Sequence, residues 1–439
     1  MLLNAADKAL WRLALPMIFS NITVPLLGLV DTAVIGHLDS PVYLGGVAVG
    51  ATATSFLFML LLLFLRMSTT GLTAQAWGAK DPQRLARALV QPLALALGAG
   101  VLIILLRLPL IDLALHIVGG SEAVLEQARR FLEIRWLSAP ASLANLVLLG
   151  WLLGVQYARA PVILLVVGNL LNIVLDLWLV MGLRMNVQGA ALATVTAEYA
   201  TLIIGLLMAK RVLTLRGVSL AMLKNAWRGD LRRLLALNRD IMLRSLLLQL
   251  CFGALTVFGA RLGSDIVAVN AVLMTMLTFT AYALDGFAYA VEAHSGQAYG
   301  ARDGSQLLEV WRAACRQSGM VALAFALIYS LAGQYIIALL TSLPSLQQLA
   351  DRYLIWQTIL PVVGVWCYLL DGMFIGATRG AEMRNSMAVA AAGFAVTLLT
   401  LPVLGNHGLW LALAVFLALR GLSLALIWRR HWRRGTWFS

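Results

Sequence analysis

Charged residues are scarce in this chain of 439 residues, where Asp, Glu, Lys and Arg together make up 12%, against about 25% in soluble domains. Hydrophobic residues make up 61%, and the mean hydropathy is +0.87. This composition excludes a soluble globular protein. It predicts a chain that crosses a lipid bilayer as helices, because lipid cannot satisfy exposed backbone groups.

Cysteine and catalytic motifs are also lacking. The three cysteines, Cys251, Cys315 and Cys367, are scattered through apolar segments, which excludes a disulfide framework or a cysteine metal site. No G-x-x-x-x-G-K-[ST] loop, H-E-x-x-H helix or G-x-S-x-G elbow occurs, and these are the motifs of ATP-driven machines and common hydrolases. We therefore expect neither an enzyme nor an organic cofactor.

The apolar pattern predicts twelve membrane-spanning helices. They lie near residues 10–36, 45–75, 88–108, 127–154, 161–182, 187–209, 232–261, 266–298, 311–338, 349–377, 385–404 and 408–428. Basic residues gather in alternate connections and in the polar linker 210–231, whereas the loops at 37–44, 109–122, 341–349 and 404–408 have none. The positive-inside rule then places both termini and the linker in the cytoplasm. Arg129, Arg130 and Arg135 fit this pattern poorly, because they would begin a span on the outer side.

A heptapeptide occurs twice, as Gln75-Ala-Trp-Gly-Ala-Lys-Asp81 and as Gln297-Ala-Tyr-Gly-Ala-Arg-Asp303, 222 residues apart. Gly154 likewise matches Gly376. Each half contains six predicted spans, so both halves enter from the same side and form a parallel repeat about the membrane normal. We predict an all-α polytopic membrane protein with two pseudo-symmetric six-helix lobes, 1–209 and 232–430. The linker 210–231 and the tail 431–439 would both be cytoplasmic.

Ionisable residues inside a membrane are functional candidates by default. Asp31 ends the first span, Asn172 and Asp176 share a face of the fifth, and Thr194 and Glu198 share a face of the sixth. Carboxylate, amide and hydroxyl oxygens suit a sodium ion, and a carboxylate alone can hold a proton. The alternatives are that Asp31 and Asp176 are simply solvated at span ends and that Glu198 has a purely structural pairing.

The second half is not a chemical copy of the first. Asp285 and Glu292 lie on one face of the eighth span, and Asp371 lies in the tenth. Asp371 is the strongest candidate there for a substrate or proton role. An ion pair, for example with Arg66 of the second span, is an equal alternative for Asp285 and Glu292. His294 is expected to pack rather than to relay protons.

Together these features resemble the multidrug and toxic compound extrusion (MATE) family over essentially the whole chain, and one bacterial branch of it in particular. The resemblance rests on the proline-bearing first span that ends in Asp31, the duplicated Gln-Ala-aromatic-Gly-Ala element, and the segment 285–290 with Glu292. It implies export of cationic or other amphiphilic compounds in exchange for protons or sodium. It also implies a cation site at four positions: Asp31, Asn172, Asp176 and Thr194. An aspartate important for coupling in a related branch matches Asp371.

We expect a secondary antiporter in which the first helix bends at Pro16 or Pro25 as the site alternates. Its partners would be small amphiphilic molecules and the bilayer, without nucleic acid, and the resemblance implies a monomer in a bacterial inner membrane. The first alternative is a flippase for lipid-linked precursors, which would need a basic cleft. Arg66 is the main basic residue expected within a span, which disfavours this. The second alternative is a membrane scaffold that transports nothing.

Overall fold

The structure is a computed structural model. It describes the backbone of residues 5–36, 38, 41–226, 229 and 231–439, and within these ranges all side chains except those at 23–33, 36, 41, 59–63 and 220. The described residues form helices and contain no strand. This confirms the all-α class that the composition predicts.

Twelve long helices follow one another along the chain. Ten of them are long and apolar enough to cross a membrane, as judged on the described residues, and α1 and α2 complete the twelve that the sequence predicts. Their bounds are α1 Ala5–Gly36; α2 Pro41–Ser55 and Leu61–Gly78, joined by the π-helical turn Phe56–Leu60; α3 Pro82–Leu105; α4 Glu122–Gly154; α5 Arg159–Asp176, followed by the π-helical turn Leu177–Gly182; α6 Asn186–Leu215; α7 Leu231–Arg261; α8 Ser264–Ala301; α9 Gly304–Leu340; α10 Pro344–Gly376; α11 Gly380–Leu404, whose last residues form short turns; and α12 Asn406–Arg434.

The duplicated heptapeptide forms the same turn in both halves. It ends α2 and α8 with a left-handed residue, Lys80 or Arg302, each at φ 54°. The next residue, Asp81 or Asp303, caps the following helix, and its side chain accepts backbone N–H groups from the first turn. An aspartate at this position satisfies donors that a helix start leaves unpaired. The repeat therefore encodes a tight reversal between two helices.

Glycines repeat the same close helix contact in each half. A Cβ atom on Gly150 of α4 would lie 2.5 Å from the backbone oxygen of Arg66 in α2. A Cβ atom on Gly372 of α10 would lie 2.6 Å from the backbone oxygen of Ala288 in α8. Only glycine lets the two backbones approach this closely, as is typical of helix packing in membranes. This shared contact confirms that the duplication extends to the packing.

The helices group into two compact units. Unit 1 contains Met1–Asn21 and Leu235–Ser439, and unit 2 contains Ile22–Leu234. The first part of α1 thus groups with the second half of the chain, and the linker groups with the first half. The lobe limits 1–209 and 232–430 stay a prediction. Helix α1 continues through Pro16 and Pro25, and their role as hinges also stays a prediction.

The connection expected to be a loop at 109–122 contains a helix, Arg107–Val118. This helix supplies Asp112, which pairs with Arg129 of α4, and Arg130 pairs with Glu126 one turn away at 2.9 Å. Two of the three arginines that fit the charge pattern poorly are therefore paired with an acid, and the third, Arg135, donates to the Ser138 hydroxyl. The prediction treated this stretch as a loop, because the 12 residues of the helix are too few to cross a bilayer.

Candidate functional site

In unit 2, helices α5 and α6 carry three of the four residues predicted to bind a cation. Asn172 and Asp176 lie one turn apart on α5, and their exposed fractions are 3% and 1%. Thr194 of α6 is half-buried, and its hydroxyl donates to Asn172 Oδ1 at 3.5 Å and to its own helix at Ala190 O at 3.1 Å. The structure therefore joins Asn172 and Thr194 across the two helices. The side chain of Asp31 lies outside the described residues.

Asp176 is the last α-helical residue before a change in the backbone. The π-helical turn Leu177–Gly182 follows it directly, and the N–H of Leu183 bonds to the carbonyl of Trp178 at 2.9 Å. Such turns are rare and are frequently found at functional sites. The buried carboxylate is thus held where the helix departs from regular geometry.

A carboxylate that is 1% exposed within a membrane-spanning helix is costly to ionise unless a cation or another polar group compensates it. Binding of a proton or of a sodium ion would remove that cost. The neighbouring amide and hydroxyl oxygens are of the kind that sodium prefers over sulfur or imidazole ligands. The arrangement can therefore hold either a proton or a small hard cation.

Glu198 lies one turn beyond Thr194 on α6 but contacts a different helix. Asn145 of α4 donates its Nδ2 to Glu198 Oε2 at 3.0 Å and to the Glu198 backbone oxygen at 3.1 Å. This pair links α4 to α6 and gives the half-buried glutamate a structural partner. Its role in coupling stays a prediction.

In unit 1, Asp371 of α10 lies between two arginines. Its Oδ2 accepts Nη2 of Arg244 from α7 at 2.7 Å and also Nη2 of Arg420 from α12. The exposed fractions of Asp371, Arg244 and Arg420 are 7%, 5% and 4%. We call these three residues the α10 triad. One carboxylate faces two guanidinium groups, so the triad carries a net positive charge.

The expectation that Arg66 is the main basic residue within a span is therefore wrong. Arg244 and Arg420 also lie within spans, and their exposed fractions of 5% and 4% are close to the 3% of Arg66. Arg66 Nη1 donates to the Thr70 hydroxyl at 3.3 Å. The mean hydropathy of a span stays high when a single arginine is surrounded by apolar residues, so averaging over the span does not reveal it. The rule that ionisable residues inside spans are functional candidates could have identified both.

The other two candidate acids of unit 1, Asp285 and Glu292, lie on α8. Glu292 is 1% exposed, whereas Asp285 is half-buried. His294 is also buried, and its Nε2 lies 3.2 Å from the carbonyl oxygen of Ala9. Glu292 and His294 are therefore enclosed within unit 1, whereas Asp285 is partly accessible. Whether Asp285, Glu292 or Asp371 lies on a substrate pathway stays a prediction.

Comparison with known proteins identifies the family. The MatE family model matches the chain twice, over residues 16–178 and 241–404, as the duplication predicts. "DNA damage-inducible protein F" of Escherichia coli strain K12, after which the predicted branch of the family is named, is 87% identical over 437 residues, covering 100% of this chain and 95% of that protein. "Protein DETOXIFICATION 45, chloroplastic" of Arabidopsis thaliana is 26% identical and covers 98% and 79%.

Solved structures show the same fold. A MATE transporter in a "straight conformation" superposes with a TM-score of 0.85 at 23% identity, covering 98% of this chain and 96% of that one. The "bent conformation" gives 0.84 at 24% identity with the same coverage. At this level of identity the likeness is one of fold. Together with the two matches to the family model, it shows that this chain belongs to the MatE family of membrane transporters.

Proposed function

We propose that this transporter exports amphiphilic, mainly cationic organic compounds in exchange for protons or sodium by alternating access. The observation that carries the proposal is the burial of Asp176 beside Asn172, which Thr194 bonds from the adjacent helix. A relative from Acinetobacter baylyi, 23% identical over 96% of this chain and 94% of its own, is named "Probable multidrug resistance protein NorM". That name supports the substrate class.

The coupling follows from the charge of Asp176. A bound proton or sodium ion neutralises the carboxylate of Asp176, which can then remain buried. Without it, the carboxylate favours a conformation that lets water or a cationic substrate reach the transport pathway. An ion and a substrate that prefer different conformations are exchanged rather than carried together. Asp31 is expected to complete the site.

The test uses the purified protein in sealed liposomes that contain a fluorescent cationic dye. Flux is followed under an imposed pH gradient and, separately, under a sodium gradient. Asp176→Asn keeps the size of the side chain but cannot be ionised, so we expect gradient-driven flux to be abolished while membrane insertion is unchanged. Asp112→Asn, an exposed acid outside the site, is the control and should retain flux.

Unchanged flux in Asp176→Asn would contradict the site. Flux with the pH gradient alone would identify a proton antiporter, whereas flux with sodium alone would make the same oxygens metal ligands. A further variant, Thr194→Val, should weaken sodium-driven flux more than proton-driven flux, because the hydroxyl can bind a metal but is not needed to protonate a carboxylate.

A second function is favoured by one observation, the net positive α10 triad with two buried guanidinium groups. Such a charge suits an anionic substrate, as a flippase for lipid-linked precursors would require. In this case neither gradient would drive the cationic dye. A fluorescent lipid-linked pyrophosphate would instead cross the liposome bilayer, and Asp371→Asn would alter that rate.

The proposal places the protein in a bacterial inner membrane as a monomer with both termini in the cytoplasm. The positive-inside pattern supports the cytoplasmic termini, and the E. coli relative supports a bacterial inner membrane. The name of that relative also suggests that expression rises after DNA damage. Protease treatment of inside-out vesicles should remove a C-terminal tag, and treatment of right-side-out vesicles should leave it intact.

A further inference from the structure

The segment predicted to be a cytoplasmic tail is folded onto unit 1. Helix α12 continues to Arg434, and Trp437 beyond it is 2% exposed. The Trp437 ring lies 5.1 Å from that of Phe374 and 6.3 Å from that of Tyr299. Arg379 Nη2 donates to the backbone oxygen of Trp437 at 2.7 Å. The end of the chain therefore fills a space between α8, α10 and α12.

Unit 2 has the counterpart of this space. The residues 222 positions before Tyr299, Thr378 and Arg379 are Trp77, Gln156 and Tyr157. Gln156 and Thr378 even share the left-handed backbone, at φ 61° and 55°. In unit 2 these residues and one face of α6 line a pocket of about 450 Å³. We call it the α6 pocket.

The α6 pocket combines positive charge with apolar surface. Arg211 and Arg216 line it, and neither forms an ion pair with any described residue. No acidic side chain is among the described residues that line it. Arg216 lies over the ring of Trp77, with Cζ 3.7 Å from its centre. Leu207 and Leu215 continue the apolar wall outward and are 62% and 73% exposed.

We propose that the α6 pocket binds the phosphate headgroup of an anionic phospholipid. Guanidinium groups match phosphate oxygens in geometry and charge. Basic residues where a helix leaves the membrane attract anionic lipids, and tryptophan favours the same level. The acyl chains would lie along Leu207 and Leu215. A free phosphate ion would contact the arginines alone, whereas a phospholipid would contact the arginines and this apolar wall together.

The experiment measures lipid binding to the purified full-length chain by native mass spectrometry. Phosphatidylglycerol and phosphatidylcholine with identical acyl chains are compared, and glycerol phosphate serves as the free headgroup. The variant Arg211→Gln/Arg216→Gln removes both guanidinium groups. The matched control, Lys210→Gln/Lys224→Gln, removes two exposed positive charges nearby that do not line the pocket. Thermal unfolding of both variants checks that they are folded.

We expect the protein to bind phosphatidylglycerol more tightly than phosphatidylcholine. The arginine variant should lose roughly thirtyfold in affinity for phosphatidylglycerol, from a factor of about five for each of the two basic residues, and the lysine control should keep it. Equal losses in both variants would overturn the proposal in favour of diffuse surface charge. Competition by glycerol phosphate at the same concentration as the lipid would overturn it in favour of a soluble anion. Absence of headgroup preference would also refute it.

Discussion

Replacement of Asp371 by asparagine tests whether the α10 triad is a structural ion pair or part of transport. The substitution keeps the shape of the side chain and removes its charge. It leaves Arg244 and Arg420, at 5% and 4% exposure, without their shared carboxylate. Breaking a buried pair in this way costs about 3–5 kcal/mol. We expect Asp371→Asn to lower the free energy of unfolding by that amount.

The arginine variants should behave differently. Arg420→Met leaves Arg244 and Asp371 as one neutral pair, so it loses mainly a charged hydrogen bond, which is about 1.5–3 kcal/mol. The double variant Asp371→Asn/Arg420→Met leaves one unneutralised guanidinium group rather than two. Its cost should therefore fall short of the sum of the single costs by about 1–3 kcal/mol, as is usual for residues in contact.

The assay is unfolding by sodium dodecyl sulfate in mixed micelles, followed by circular dichroism. Flux in liposomes is measured in parallel and normalised to inserted protein. Asp265→Asn, an exposed acid at the start of α8, is the control and should change neither quantity. If Asp371→Asn unfolds like the wild type but loses flux, the ion-pair argument is refuted and Asp371 acts in transport. Equal costs for Asp371→Asn and Arg420→Met would also refute it.

Two further substitutions test the packing. Gly376→Ala would place a Cβ atom 2.6 Å from Ser295 Oγ, and we expect a destabilisation of about 1–3 kcal/mol by detergent unfolding. Gly319→Ala, with nothing within 4 Å, should be neutral or stabilising by up to about 1 kcal/mol, so equal effects would contradict the close contact. Trp437→Ala removes a side chain that is 2% exposed and should cost about 3–5 kcal/mol. Trp366→Ala, at 42% exposure, should cost far less. If Trp437→Ala costs as little as Trp366→Ala, the folded tail contributes little to stability.

The fold was predictable because it depends on the mean hydropathy of long segments and on an internal sequence repeat. Twelve apolar segments and a repeat of 222 residues are properties of long stretches, and a single misread residue does not change them. The heptapeptide has the same local structure in both halves. Lys80 and Arg302 adopt a left-handed backbone conformation, and Asp81 and Asp303 cap the helices that follow. The helix Arg107–Val118 was missed, because its 12 residues are fewer than a membrane span needs and the connection was therefore expected to be a loop.

The two charged sites were predictable to different degrees. Asn172 and Asp176 are four residues apart, so helical geometry alone puts them on one face. The partners of Asp371 are 127 and 49 residues away along the chain, and no local pattern encodes such a contact. The same holds for the tail, where a single tryptophan near a chain end gives no sign of burial.

The division of the chain into units also bears on where the protein could be cut into two pieces. Unit 1 contains Met1–Asn21 together with Leu235–Ser439, whereas only the first four residues of α7, 231–234, group with unit 2. A cut in the linker between the two halves would therefore separate the start of α1 from the unit with which it groups. A fragment made of the second half alone would lack Met1–Asn21, although this segment belongs to its compact unit.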